Sequence, residues 1–421
     1  MEDFVHLHVH THYSILDGQS KISYLVDKAV KNGMKGMAIT DHGVMFGIKE
    51  FSDYCVRINK GRKERGEKPF KPIFGCEMYV ARRTKFNKDK SQHDNSGYHL
   101  VVLAKNYKGY QNLIRIVSRA WIDGYYYRPR TDREDLEKYH EGLIVCSACI
   151  AGEVPAKILK GDIEGAREAC EWYHRVFGDD YYLELQRHEV KDPQLVANRD
   201  VFPLQQKANE MLMQFAREYS IKLVCTNDCH FEDKETAEAH DHLLCLSTNE
   251  ELNAPNRLRY SKQEWFKTRE EMNEVFSDVP EALSNTLEIF DKVELYSIEH
   301  GPIMPFFPIP ESFGTEEGWR KKFTETDLYR EFTSDENGEN PLSQEEGQKV
   351  IERLGGYDKI YRIKFEADYL AKLAYDGAKR LYGDPVPDNV REHINFELHV
   401  MKTMGFPGYF LIVQDFINAA R

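Results

Sequence analysis

Hydrophobic and polar residues alternate near the beginning of the chain. In the sequence FVHLHVHTH, which starts at Phe4, one residue separates each histidine from the next. This period of two predicts a β-strand with His6, His8, His10 and His12 on a single face. A row of imidazoles suits an apolar core poorly, but it presents several metal-ligating nitrogens to one cavity. Solvated surface histidines are the alternative, which the apolar residues between them disfavour.

Strand-like apolar runs alternate with helical patterns over the first 250 residues. Together with the histidine-rich run there are seven, the others at residues 36–40, 72–80, 99–104, 142–147, 181–185 and 223–226. Helical patterns at 110–119, 163–174 and 204–219 separate several of them. This order predicts a parallel α/β barrel, in which functional residues lie at the carboxyl ends of the strands.

Polar residues with metal-ligand chemistry lie at or beside these runs. Besides the histidines of the first run they are Asp17, Asp41, His42, Glu77, His99, Cys146, Cys149, Asp228, Cys229 and His230. Each of them alone is a weak signal, because a lone Asp-His pair is usually a turn and a lone buried cysteine usually packs in the core. Their coincidence favours zinc, manganese or iron. More ligands than one ion needs predict a cluster, which suits phosphoester hydrolysis.

Several other features leave alternatives open. Cys146 and Cys149 form a CxxC motif, but no second CxxC at finger-like spacing supports a zinc ribbon. The sequence leaves open whether His188 reaches the cavity. His6 and His12 are expected to orient the ligands. The segment GYYYRPR at 124–130 fits contact with a nucleic-acid strand and a packed surface loop equally well.

Composition limits the class of protein. The chain has 421 residues, 41% of them hydrophobic, and a formal net charge of −13, so nucleic-acid binding would require a local basic surface. The N-terminus is no signal peptide, and no apolar run approaches ~18 residues. We therefore expect a cytoplasmic protein without a membrane contact, and eight cysteines that are thiols or metal ligands.

A change in composition predicts a domain boundary. Pro302, Pro305, Pro308 and Pro310 predict an extended connector. The stretch 311–346, with 11 acidic and 4 basic residues, reads as a solvated insertion. The expected domains are a barrel over 1–285, a connector over 286–310, an acidic, flexible insertion over 311–360 and a smaller, mainly helical α+β segment over 361–421.

The motifs HLHVHTHYSILDG, AITDHGVMFG, GYHLVVLAKNYKGYQNL, GYYYRPR and TNDCHF resemble the PHP (polymerase and histidinol phosphatase) family, and specifically its bacterial replicative DNA polymerase branch. The resemblance implies a distorted seven-stranded barrel and nine metal ligands, all of them present in this sequence. They are His8, His10, Asp17, His42, Glu77, His99, Cys149, Asp228 and His230.

The resemblance also implies how the ligands are shared among two or three divalent ions. The first ion would be held by His8, His10, Glu77 and Asp228. The second would be held by His99 and Cys149 with Glu77 as a bridge, and the third by Asp17, His42 and His230.

For function, the resemblance implies a metal-dependent 3′–5′ exonuclease that acts on a DNA primer-template or a single-stranded 3′ end. Implied partners are a proofreading exonuclease, a sliding clamp and a clamp loader. The motif MGFPGYFLIVQDFI resembles the start of a polymerase palm, so we expect a fragment of a longer polypeptide that lacks the polymerase's catalytic aspartates. The alternatives are an idle, metal-stabilised scaffold that docks the proofreading subunit and a free-standing phosphatase acting on a small phosphate ester.

Overall fold

The structure is a computed structural model that describes residues 2–300, 305–335, 338–339 and 342–421. The chain divides into two compact units, the first ending at Ile298 and the second beginning at Glu299. The predicted barrel boundary at 285 falls inside a helix of the first unit, Pro280–Lys292. Ile289 and Phe290 of this helix are part of a core cluster that they share with the strands, and therefore the helix belongs to the barrel.

The first unit contains one curled sheet of seven strands. They are β1 (Gly36–Ile39), β2 (Lys71–Ala81), β3 (Gly97–Ala104), β4 (Arg130–Thr131), β5 (Leu143–Cys146), β6 (Tyr181–Leu185) and β7 (Lys222–Cys225). The neighbours run in the order β1-β2-β3-β5-β6-β7, with β4 beside β2. The PHP-type α/β barrel predicted from the sequence is confirmed.

One strand of the sheet runs in a direction that differs from the prediction. β3 runs antiparallel to both β2 and β5, whereas the other neighbouring strands are parallel. An all-parallel barrel was therefore the wrong expectation. The reversal explains why His99 lies near the beginning of its strand while other candidates follow theirs, because an antiparallel strand brings its amino end to the common edge.

The histidine-rich segment closes the sheet without forming a regular strand. On one side, the N–H of Ala38 in β1 donates to the carbonyl of His6 at 2.8 Å. On the other side, beyond β7, His10 N–H donates to Cys229 O at 2.7 Å, and Cys229 N–H donates to His8 O at 3.1 Å. The chain bends at His8, so the predicted alternation does not continue unbroken and the four imidazoles do not share one face.

Alternation along β3 separates two cores and sets the position of the site. Val101 and Leu103 belong to one buried cluster, whereas Leu100 and Val102 belong to the other, which is packed with the surrounding helices. Because successive side chains point to opposite faces, His99 extends the row of Val101 and Leu103 to the end of the strand.

Helices surround the sheet. In the first unit they are α1 (Ile22–Lys31), α2 (Ile48–Glu64), α3 (Tyr107–Ile122), α4 (Arg133–Lys138), α5 (Glu153–Leu159), α6 (Ile163–Phe177), α7 (Val201–Tyr219), α8 (Ala237–Thr248), α9 (Arg269–Val275) and α10 (Pro280–Lys292). In the second unit they are α11 (Glu316–Lys322), α12 (Glu325–Thr333), α13 (Gln344–Arg353), α14 (Tyr357–Tyr382), α15 (Asp388–Thr403) and α16 (Pro407–Ala420). Among the described helices, none is both long and apolar enough to cross a bilayer.

The second unit is mainly helical, as predicted from the sequence, and its helices extend into the acidic stretch. Three helices, α11 to α13, occupy most of the acidic stretch, and Leu328, Phe332, Ile351 and Ile360 form a small buried core. Its described residues contain helices but no strand. Part of the acidic loop (336–337 and 340–341) and part of the predicted connector, including Pro302, lie outside the described residues.

Gly109 provides a test of how β3, α3 and β5 are joined. A Cβ at Gly109 would lie 1.8 Å from the carbonyl oxygen of Gly142, which precedes β5. We expect Gly109→Ala to destabilise the first unit by about 1–3 kcal/mol, because backbone must move to make room. Gly61→Ala in α2 is the matched control, since its Cβ would meet only the end of the Arg65 side chain at 3.4 Å. Urea denaturation would measure both, and equal stabilities would contradict the packing described.

Candidate metal centre

Four buried side chains meet at the centre of the site. His8 Nε2 lies 3.1 Å from Asp228 Oδ1 and 3.4 Å from Glu77 Oε2. His10 Nε2 lies 3.2 Å from each of the same two oxygens. All four atoms are buried and have no hydrogen-bond partner. Two nitrogens and two carboxylate oxygens therefore converge on one point.

The spacing of these atoms fits a metal ion. Ligand atoms ~2.0–2.2 Å from a tetrahedral ion lie roughly 3.3–3.6 Å from one another, close to the separations observed. Buried polar atoms normally have a partner, so four orphaned atoms in one place require an explanation. A divalent cation at their centre would satisfy all of them.

Asp17, His42 and His230 form a second group beside the first. His42 Nε2 lies 3.0 Å and His230 Nε2 lies 3.2 Å from the same oxygen, Oδ2 of Asp17. The other nitrogen of His42 lies 2.9 Å from Glu77 Oε2, which links the two groups. These residues, together with His10, are close enough to hold an ion.

His99 and Cys149 lie on the other side of Glu77. His99 Nδ1 is 2.9 Å from Glu77 Oε1, and Cys149 Sγ is 3.7 Å from that nitrogen and 4.0 Å from that oxygen. The structure thus brings all nine predicted residues to one site. Their role as metal ligands stays a prediction.

Unusual backbone conformations position two of the nine. Asp228 has a φ of 46°, and Ala148, which precedes Cys149, has a φ of 62°. Left-handed conformations are uncommon outside glycine and are concentrated at functional sites. Asp228 and His230 lie in an irregular segment after β7, where His230 Nδ1 is 3.6 Å from Asp228 Oδ1. The sequence pattern had placed them on one regular strand, but the strand ends at Cys225.

Sequence reasoning missed the residues that hold the histidines in place. Glu184 of β6 is buried, and its Oε1 lies 2.7 Å from His8 Nδ1. Ser14 Oγ lies 2.9 Å from His10 Nδ1. By occupying Nδ1, each partner leaves Nε2 of its histidine free to face the centre. A carboxylate on an otherwise apolar strand, YYLEL, was the available signal for Glu184.

Asp17 is held in a similar way. The hydroxyl of Tyr260 donates to Asp17 Oδ1 at 2.9 Å, and His240 Nε2 lies 2.8 Å from the Asp17 carbonyl. Tyr260 follows the last predicted strand and belongs to no motif, so no sequence pattern pointed to it.

Three other histidines do not belong to the cluster. His6 Nε2 bonds to the carbonyl of Lys267, and His12 Nδ1 bonds to the carbonyl of Ser20. Neither one contacts a predicted ligand side chain through these bonds, so the expectation that they orient ligands finds no support. His188 is buried behind the centre, with Nε2 3.1 Å from the carbonyl of Asn227.

Opposite charges are balanced within the site. Burial opposes the charged form of His8, but Asp228 and Glu77 outweigh it and raise the pKa of His8 well above its ordinary value. Burial likewise opposes ionisation of Glu77, yet His99 and His42 hold its pKa well below the usual range. Without metal, protonated imidazoles therefore neutralise the carboxylates. The pKa of Cys149 is raised by burial and by Glu77, which disfavours the thiolate in the metal-free site.

A cavity of about 730 Å³ opens above the site, within the range of ligand pockets. Asp17, His42 and His99 lie at its base, and its walls include Trp121, Tyr125, Tyr127 and Arg128. The potential metal site is therefore open to a substrate on one side.

Comparison with known proteins agrees with this geometry. Residues 6–188 match the PHP domain family, and residues 368–421 match a family described as the bacterial DNA polymerase III alpha NTPase domain. Residues 6–188 of the first unit are thus similar to the PHP domain family, the class that the fold and the cluster of ligand-type side chains had indicated.

The relatives belong to a particular branch of that class. The chain is 38% identical to DNA polymerase III subunit alpha of Borreliella burgdorferi, 34% identical to that of Treponema pallidum and 35% identical to that of Thermus aquaticus. Each comparison covers 99% of this chain but only 30%, 30% and 33% of the relative. The chain spans about a third of the length of these curated relatives and is related to DNA polymerase III alpha subunits throughout.

Glu184→Gln tests the orientation of His8. A glutamine cannot accept from both His8 and the Ala148 N–H, which now donates to Glu184 Oε2 at 3.1 Å. We expect metal affinity to fall about 10–100-fold, with the fold retained. Titration with Zn²⁺ or Mn²⁺ against a chelating dye would measure this, with exposed Glu189→Gln as the control. Equal affinities in both variants would show that Glu184 does not support the site.

The stability of the metal-free protein should depend on pH. Burial lowers the pKa of His230, but Asp17 and Asp228 outweigh it and raise that pKa to about 9. Its protonated form stabilises the fold fully below about pH 6.5, and this contribution is lost as the pH rises through about 9.

Bound metal would remove this dependence, because a ligating imidazole is unprotonated. We expect the melting temperature of EDTA-treated protein to fall by roughly 2–5 °C between pH 6.5 and 9.5. Zn²⁺-loaded protein should show a smaller fall, and so should metal-free His230→Asn. Parallel curves for loaded and stripped protein would contradict the assignment.

Proposed function

We propose that the PHP domain of this chain is a metal-dependent phosphoesterase that acts as a 3′–5′ exonuclease on DNA. The observation that carries the proposal is the set of unpartnered buried atoms on His8, His10, Glu77 and Asp228, which surround a point suited to a cation. The cavity above them supplies access for a substrate.

The proposed cluster contains two or three ions, with zinc, manganese or iron as the chemical choices. His8, His10, Glu77 and Asp228 would hold the first. His99 and Cys149 would hold a second with Glu77, and Asp17, His42 and His230 a third. The distances around Glu77 support this grouping, since its two oxygens face different sets of ligands.

Bound divalent cations would activate water for attack and neutralise charge on the phosphoester. The protein's own groups would orient and insulate that chemistry. Glu184 and Ser14 fix the histidine rings, and burial shields His8, His10 and Glu77 from bulk water. Ser14 is not an available nucleophile, because its hydroxyl also donates to Asp41 at 3.1 Å and accepts from the N–H of His42.

Similarity to the relatives extends the proposal to the role of the chain in the cell. We propose that the chain is part of a replicative DNA polymerase subunit that works in the cytoplasm, and that residues 361–421 begin its palm. Its partners would then be primer-template DNA, a proofreading exonuclease, a sliding clamp and a clamp loader. Similarity to DNA polymerase III alpha subunits over 99% of the chain supports this assignment.

Asp17→Asn tests the exonuclease proposal. We expect the wild-type protein with Mn²⁺ or Zn²⁺ to shorten a 5′-labelled single strand from its 3′ end, and Asp17→Asn to reduce the rate at least 100-fold. Asp291→Asn, an exposed aspartate on α10, is the matched control and should retain the wild-type rate. Gel analysis of the products gives both the rate and the polarity.

The outcomes separate three functions. Equal degradation by wild type and Asp17→Asn would reveal a contaminating nuclease. Hydrolysis of histidinol phosphate without DNA cleavage would favour a small-ester phosphatase. Metal-dependent stabilisation with no hydrolysis of either substrate would favour a scaffold that docks the proofreading subunit.

A further inference from the structure

Aromatic side chains form a wall of the cavity above the metal centre. Trp121, at the end of α3, stacks on Tyr125 with ring centroids 5.4 Å apart and an angle of 15° between the planes. Tyr127 lies two residues further along the chain. These three rings line the cavity and are 43%, 48% and 58% exposed, respectively. This set of Trp121, Tyr125 and Tyr127 is called the aromatic wall below.

The aromatic wall is held rigidly from beneath. The indole N–H of Trp121 donates to the carbonyl of Gly43 at 2.8 Å. Arg130 is fully buried, and its guanidinium donates to the carbonyls of Lys85, Asp94 and Gly124 instead of to a carboxylate. The loop is therefore tied to its surroundings on both sides, and the exposed rings can bind a ligand with little loss of conformational freedom.

Tyr127 adopts a backbone conformation that is unfavourable for a tyrosine. Its φ is 61°, in the left-handed region, which bulky side chains rarely occupy. More than half of its side chain remains exposed, so burial does not account for that conformation. Such outliers are concentrated where the surroundings impose them at binding sites.

A cation lies between the aromatic wall and the metal centre. The guanidinium of Arg128 lies 5.6 Å from the ring of Tyr79, which in turn stacks on His42 at 5.8 Å. Within the described part of the chain, no carboxylate pairs with the Arg128 side chain. Apart from Asp17, a predicted metal ligand, the cavity lining contains no acidic residue, although the whole chain carries a net charge of −13.

This combination selects a class of ligand. Exposed aromatic rings stack on unpaired bases, and a free arginine pairs with a phosphate. A duplex keeps the faces of its bases covered by stacking within the helix, and a small phosphate monoester such as histidinol phosphate offers a ring but no phosphodiester. A single strand offers both a free base and a phosphodiester.

We propose that the aromatic wall and Arg128 bind the unpaired end of a nucleic-acid strand and direct its terminal phosphodiester to the metal centre. The substrate specificity would then reside in base stacking, independent of base identity. This inference rests on the proposed exonuclease function, of which it specifies the substrate.

The test compares two single strands that differ only at the 3′ end, one with normal nucleotides and one with abasic residues at its last two positions. Wild-type protein should have a kcat/KM about 10-fold or more higher for the normal strand, chiefly through KM. In Tyr125→Ala and Tyr127→Ala the ratio between the two strands should fall toward one. Tyr125→Phe and Tyr127→Phe, which keep the ring, should preserve it.

Tyr24→Ala, which removes an equally exposed tyrosine of α1 outside the cavity, is the control and should leave the ratio unchanged. Unchanged ratios in both cavity alanine variants, or a wild-type protein indifferent to the missing bases, would overturn the proposal.

If wild-type protein hydrolyses neither strand, the proposed exonuclease function fails, but the wall is still tested. Fluorescence anisotropy of the same two strands, labelled at the 5′ end, then gives the ratio of Kd values for each variant. Preference for the normal strand that disappears in the alanine variants would support the binding role without catalysis. Equal Kd values in wild type would reject it.

Discussion

The structure of the site depends on one buried carboxylate, that of Glu77, which contacts four histidines. It is 1% exposed, and yet its oxygens lie within 3.4 Å of nitrogens from His8, His10, His42 and His99. An unpaired charge at such depth would cost several kcal/mol, so the surrounding imidazoles are needed for the fold as much as for chemistry. They can balance Glu77 as protonated rings or share it with cations. The metal-free and metal-bound forms are therefore two ways of meeting the same requirement.

The sequence predicted the site better than the path of the chain around it. Ligand-type side chains recur at the ends of apolar runs, and the resemblance to the PHP family selected the nine proposed ligands among them. The antiparallel direction of β3 could not be predicted, because an apolar run such as GYHLVVLA does not indicate whether the strand pairs in a parallel or an antiparallel way. The bend at His8 was also hidden, since strict alternation predicts a regular strand. Glu184 was passed over because its role depends on a neighbour in space, His8, that is distant in sequence.

The second unit shows a different limit. A high density of acidic residues suggested a solvated insertion, yet this stretch contains helices with regular N-terminal caps. Thr324 with Asp327, and Ser343 with Glu346, form reciprocal capping boxes. This local pattern was present in the sequence and favours helix formation. The apolar residues Leu328, Phe332 and Ile351 are few, but they are spaced to share a core once the helices form. Composition alone therefore did not predict these helices.

Closure of the sheet by the histidine-rich segment has a consequence for biosynthesis. The backbone of His8 pairs with that of Cys229, and its ring meets Asp228, about 220 residues later in the chain. At a translation rate of ~5–20 residues per second, His8 and His10 wait roughly 10–45 s for these partners. During this interval the nascent chain carries His8, His10, Asp17 and Glu77 without Asp228 and His230. The order of synthesis thus makes the first four-residue group wait for its last member, and metal capture by the complete site comes late in folding.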